Sequence, residues 1–182
     1  GQIPEASVQA QIKNRYKNAV HHADSVAADI LAALEELGLA EDTIVVVTGD
    51  HGEEFWGTGL FGHTSSFSPA QVSVPMILKG PGVSPGVETT PTSHLDLPAT
   101  LLELLGADPA IRSKWSLGDT LLKSHSVNRQ RVVSGWDKVA LWTGEGILVV
   151  PLQGNFTSFD IQLYSYQWEH LLEDEQVIAR HT

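Results

Sequence analysis

The 182-residue chain contains no cysteine, so its own residues can build no disulfide, thiolate zinc site or cysteine nucleophile. Basic side chains are scarce: 11 Lys and Arg stand against 22 Asp and Glu, a formal charge of −11. With no Lys/Arg cluster, that balance argues against electrostatic binding to nucleic acid or to anionic lipid. Long apolar runs are missing as well. None approaches the ~18 residues that suggest a membrane span, and nothing has the form of a signal peptide. Any membrane attachment would come from segments upstream. What is present is a globular composition, 42% hydrophobic and 18% charged, in a length sufficient for one domain with a real core.

Helical periodicity is strongest near the start. Val8, Ile12, Tyr16, Ala19, Ala23, Val26, Ile30, Leu34 and Leu37 recur at steps of three or four and predict a helix over 8–37, stopped by Gly38. The run Ile44–Thr48 is β-branched throughout and too short for a helix, which predicts a buried parallel strand. Gly49-Asp50-His51-Gly52 then lies on the loop at that strand's C-terminal end, the edge where α/β sheets bind ligands. Residues 53–71 lack either periodicity and are expected to form an active-site loop. Val72–Leu78 predicts a second strand, closed by the turn Lys79-Gly80-Pro81-Gly82, and a helix is expected from about Thr92–Pro98 to Leu105. Short strands near 131–137, 138–143, 146–152 and 156–164, with turns at Gly144-Glu145-Gly146 and Gln153-Gly154-Asn155, predict an antiparallel tail. A helix over about 167–180 is expected to close it. Trp115, Trp136, Trp142 and Trp168 are expected in packing, and Trp56 as a pocket wall.

The chemistry-bearing residues cluster around the first strand. Asp50 and His51 are adjacent on a loop, where a carboxylate oxygen and an imidazole nitrogen can converge on one ion. Zinc and manganese suit that pair, whereas calcium asks for more oxygen ligands. Without a metal, the same residues make a capped turn. His63, in Gly62-His63-Thr64, lies on the following loop and is a candidate metal ligand, anion contact or proton donor; a solvent-exposed loop histidine is the bland alternative. Glu53 and Glu54 are either ligands, groups that orient His51, or a solvated acidic turn.

The ordered stretches Asn14–Asp24, Thr43–Phe55, Phe61-Gly62-His63, Val74–Gly82 and Thr92–Thr100 resemble the alkaline phosphatase/sulfatase superfamily. Within it they are most similar to sulfatase-like, membrane-anchored periplasmic proteins of Gram-negative bacteria (the YejM or PbgA type). The resemblance is firm over about 10–125 and looser in the tail. It implies an α/β fold: the C-terminal portion of an alkaline-phosphatase-like α/β/α sandwich over 1–125, with a small antiparallel β subdomain over 126–182. It implies that Asp50 and His51 are ligands of a divalent metal ion (Zn, Mn or Ca). His63 falls where sulfatases carry a lysine touching sulfate and phosphatase-like relatives a metal-binding histidine, so it is carried as both catalytic and substrate-binding. His94 is a further substrate-binding candidate; Asp24 is structural, and Asp96 fixes a helix N-terminus rather than touching substrate.

The activity implied is metal-dependent hydrolysis of sulfate or phosphate esters, lipid-linked ones included. The expected setting is the periplasmic face of the bacterial inner membrane. Two alternatives from the same fold are a non-catalytic lipid-binding or regulatory module and a phospholipid headgroup transferase. The family's nucleophile, which in sulfatases opens a Cys/Ser-x-Pro-x-Arg motif, does not occur here; Asp108-Pro109-Ala110-Ile111-Arg112 is only a superficial echo. The 182 residues are therefore expected to be a domain fragment, inactive alone.

Overall fold

A computed structural model describes residues 3–152 and 161–172. Helix α1 spans Ala6–Glu36 and ends as its sequence suggests. Gly38 takes φ 68°, and the N–H groups of Gly38 and Leu39 donate to Glu35 O and Leu34 O, closing the last turn. None of its residues is buried. Tyr16, Val26, Ile30 and Leu37 of the apolar stripe are all exposed.

Strand β1 (Val45–Thr48) pairs with β4 (Met76–Lys79) in the register Val45↔Lys79 to Thr48↔Met76. The pairing is antiparallel, which corrects the expected parallel strand. A β-branched run specifies extended backbone but not partner direction, and the intervening segment turns back as a hairpin-like excursion. Gly80 follows β4 at φ 148°, where a Cβ would lie 2.8 Å from Ile44 Cα, so glycine lets the chain leave the ladder beside β1.

The excursion is more ordered than its composition suggests. It contains the two-residue ladder of β2 (Glu54–Phe55) and β3 (Phe61–Gly62), then a short helix α2 (Pro69–Val72). Val72 is thus helical rather than the start of a strand: Pro69 is preorganised for a first helical turn, and the N–H of Val72 donates to Ser68 O.

Beyond residue 84 lie α3 (Asp96–Leu104), α4 (Pro109–Trp115) and a five-stranded antiparallel meander. Its strands are β5 (Arg131–Ser134), β6 (Lys138–Trp142), β7 (Ile147–Pro151), β8 (Gln162–Tyr164) and β9 (His170–Leu172), in chain order. The turn at Gly144–Gly146 joins β6 to β7 as expected, and Gly146 has φ 155°. The expected turn at Gln153–Asn155 lies outside the described residues. The expected closing helix is not helical over 167–172. Trp168 adopts φ 65°, Ser165 and Glu169 bond across the turn, and the chain reverses into β9; residues 173–180 lie outside the described part.

The described residues form two compact units, 3–65 with 73–83, and 66–72 with 84–152 and 161–172. The apolar core belongs to the second. Phe67, Ala140, Trp142, Ile147 and Val149 are buried together, with Val72, Val133, Tyr164 and Trp168 against them. Two of the expected packing tryptophans are instead exposed: Trp136 (88%) sits on the turn between β5 and β6, and Trp115 (73%) at the last residue of α4.

One buried ion pair organises the start of α3. Asp96 is fully buried, and its carboxylate accepts from Arg129 Nη1 (2.8 Å) and Nη2 (2.5 Å), Ser93 N (2.8 Å) and Asp119 N (2.9 Å). Burial alone would push this carboxyl up. The guanidinium of Arg129 and the two backbone N–H groups outweigh it and hold Asp96 below the ordinary carboxylate range. The expectation that Asp96 fixes this helix end is met, with Arg129 as the partner the sequence did not disclose. Gly118 packs against the same turn: a Cβ there would fall 2.0 Å from Leu95 O.

Because the folded-state value is the lower one, the stabilisation from Asp96 is complete above the unfolded carboxyl's ~3.9 and is lost as pH falls through the folded value. Arg129→Ala strands a buried carboxylate and is expected to cost about 3–5 kcal/mol at neutral pH. Urea titration followed by circular dichroism measures it, and the deficit should shrink as the pH drops below about 4. A wild-type midpoint at pH 7 would show the pair to be dispensable.

Candidate metal centre

The loop after β1 is tight. A Cβ on Gly49 would lie 3.3 Å from Val74 Cγ1 and 3.4 Å from His51 O, so the chain passes close to the segment entering β4. Asp50 folds back on this loop: Oδ1 accepts the His51 N–H at 3.0 Å, and Oδ2 lies 3.6 Å from His51 Nε2. The bond from the His51 amide, with that from its own backbone and the nearby His51 side chain, lowers the Asp50 carboxyl. This carboxylate is solvent-exposed.

The ladder Glu54↔Gly62 sets the rest of the site. One step outward along that register, Glu53 stands across from His63, and Glu53 Oε2 accepts from His63 Nδ1 at 2.9 Å. Gly62 takes φ 89°, a backbone that favours glycine, immediately before His63. Glu54 points elsewhere and is 1% exposed; its Oε1 accepts the Thr58 N–H at 2.8 Å and also the Thr58 hydroxyl. The adjacent acids therefore part company: Glu54 clasps the hairpin tip, while Glu53 faces the histidines.

His51 and His63 stack with ring centroids 4.1 Å apart and planes 29° from parallel. Their ring hydrogens have evident destinations. Gly52 O lies 2.9 Å from His51 Nδ1 and accepts a hydrogen bond there, as Glu53 Oε2 does from His63 Nδ1. Both Nε2 atoms are then left with a lone pair, the form in which imidazole binds metal. Donor atoms of His51, Glu53 and His63 all lie within 4.8 Å of one another. Two imidazole nitrogens and one carboxylate are donors that a divalent ion accepts. The residues present fit the divalent ion expected from the sequence.

Of the residues singled out from the sequence, His51 and His63 are brought together, and Asp50 is next to them but turned toward His51 and solvent. Glu53 emerges as the third donor. His94 is exposed in the second unit, two residues before α3 begins at Asp96. No signal in one sequence separates Glu53 from Glu54, although the alternation of side chains along an extended strand would have assigned them to opposite faces.

A sulfatase family model matches residues 1–107. The chain belongs to the sulfatase family. Choline-sulfatase from Rhizobium meliloti (strain 1021) is 28% identical over 120 residues, which cover 66% of this chain and 23% of that protein. A Bacteroides thetaiotaomicron structure from the metabolism of multiple glycosaminoglycans superposes with a TM-score of 0.66 at 21% identity, covering 88% of this chain and 40% of that one. A protein solved with its substrate, D-glucosamine-2-N,6-O-disulfate, superposes with a TM-score of 0.63 at 15% identity, covering 88% and 36%. These likenesses establish the mixed α/β sulfatase fold. The chain spans about a quarter of the length of its choline-sulfatase relative.

The geometry separates the two acids experimentally. Glu53→Gln is expected to weaken zinc affinity about 10–100-fold, read by competition with a chromophoric chelator. Glu54→Gln is expected to leave that affinity within a few-fold and to lower the thermal midpoint. The reverse pattern would place the donor on Glu54.

Proposed function

We propose that this chain supplies one wall of the metal centre of a sulfatase, a hydrolase of sulfate esters. The observation that carries the reading is the convergence of His51, Glu53 and His63 within 4.8 Å, on the loop after β1, in a chain of the sulfatase family. The choline-sulfatase relative and the disulfated glucosamine of the structural neighbour support a sulfated small molecule or sugar as substrate.

In this reading His51 and His63 hold a divalent ion through Nε2, with Glu53 as the third donor or as the group that fixes the His63 ring. Asp50 adds negative charge beside His51 and completes the ligand set with residues of the parent protein. A bound ion would supply Lewis-acid stabilisation of the sulfate oxygens. His63 has a second capacity on the same atom: with a proton on Nε2 it donates to a sulfate oxygen or to the departing ester oxygen, while Glu53 offsets the imidazolium charge. The nucleophile lies outside these 182 residues. The exposed apolar stripe of α1 supports a parent in which further core covers that helix. Attachment to the periplasmic face of a bacterial inner membrane belongs to the same proposal; among the described residues no helix is long and apolar enough to cross a membrane.

Asp50→Ala in the full-length protein is expected to abolish turnover of sulfate esters while the far-ultraviolet circular dichroism is unchanged. His51→Ala should do the same and also reduce bound metal, counted by elemental analysis. Near-normal turnover in either variant would sink the site assignment. Metal-replete wild-type protein without any ester turnover would favour a binding module over an enzyme.

A further inference from the structure

The β2–β3 hairpin that carries Glu53 and His63 also presents aromatic rings. Phe61 is 51% exposed and stacks on Trp56, with centroids 4.4 Å apart and planes 19° from parallel. Phe55 meets Phe61 edge-on at 6.0 Å and Tyr16 of α1 at 4.9 Å. Phe61 precedes His63 by two residues, with His63 just past the end of β3, so their Cα atoms are at most ~7 Å apart.

The rings are held there by local structure. Trp56 adopts φ 60°, an uncommon backbone for a bulky residue. Its N–H donates to Leu60 O at 2.7 Å, and Gly59 N–H, at φ 87°, returns to Trp56 O at 3.2 Å. The Glu54 carboxylate below fixes the tip through Thr58. These contacts hold Trp56 in its left-handed conformation. Trp56 and Phe61 are stacked on each other, yet Phe61 stays 51% exposed, two residues from His63.

We propose that Phe61, positioned by Trp56, is a specificity-determining residue: its exposed surface stacks on the ring of a ring-bearing sulfate ester whose sulfate lies at His51 and His63. The inference rests on the sulfatase reading and adds the residue that selects the organic half of the substrate. A flat aromatic ring stacks on aryl groups and on the C–H face of a pyranose, and contributes nothing to the sulfate itself. The platform therefore acts on ester binding and leaves binding of inorganic sulfate alone.

The test uses metal-replete full-length protein, with 4-nitrophenyl sulfate and glucosamine 6-sulfate as substrates and inorganic sulfate as competitive inhibitor. Phe61→Ala is expected to raise KM about 10-fold for a stacked ester, equivalent to about 1.4 kcal/mol, with the inhibition constant of sulfate within about twofold of wild type. Phe61→Trp is expected to restore KM. A rise for the aryl ester alone assigns an aryl-binding subsite, a rise for the sugar ester alone a pyranose subsite, and a rise for both a platform shared by the two. Unchanged KM for both esters overturns the proposal, and so does a parallel loss of sulfate inhibition, which would mark a packing role. Each of those results leaves the sulfatase reading standing. Wild-type protein that turns over neither ester while binding metal overturns that reading and the proposal with it.

Discussion

Two backbone-paired positions, Glu54↔Gly62 and Phe55↔Phe61, carry the candidate site. Without that ladder, Glu53 and His63 are ten residues apart on a polar loop and have no reason to meet. With it, the register places them across from each other, and a 2.9 Å bond from imidazole to carboxylate follows. A two-residue ladder is marginal by itself. Its support is the buried Glu54 carboxylate, which ties the tip through Thr58, and the ring cluster of Phe55, Phe61 and Tyr16. A buried carboxylate without partners is costly, so the Thr58 bonds and the position of Glu54 are mutually dependent. The acid next to Glu53 is thus the one that holds the geometry of the Glu53–His63 pair.

Much of this order was legible. The 3.6-residue period of α1, the helix stop at Gly38, the β-branched first strand and the meander from 131 onward all follow from local periodicity and turn chemistry. The order strand, Asp50-His51-Gly52, His63 and second strand was also readable along the chain, and the fold brings the two imidazole rings to 4.1 Å. What local signals missed depends on partners far away in sequence. The direction of β4 against β1 requires the path of the whole excursion. Arg129 lies 33 residues from Asp96, and nothing near either residue names the other. Trp115 and Trp136 were assigned to packing by size, yet each sits at an element's end or turn, where no second layer is present among the described residues.

The two units are stabilised by different means, which bears on what mutations will report. The second contains the apolar core and a buried ion pair with four hydrogen bonds to one carboxylate. The first has a 31-residue helix with no buried side chain and two two-stranded ladders. Replacing site residues in the first unit therefore removes little packing, and their effects read chemistry more directly than substitutions near Asp96 would.

Glu53 has two roles open to it, and its geometry allows both. Oε2 is committed to His63 Nδ1, whereas Oε1 lies 3.6 Å from where a Gly62 Cβ would stand. That separation is ordinary van der Waals contact, so the glycine serves its φ of 89° rather than space for the carboxylate. A carboxylate with one oxygen on an imidazole and the other uncommitted can fix the tautomer of His63 and still approach an ion. If it only buttresses the ring, its loss weakens metal binding through a mobile His63; if it also ligates, charge on the ion is lost as well. The two cases differ in the response to Glu53→Asp: a shorter carboxylate retains the charge but, at this register, no longer spans the hairpin to Nδ1.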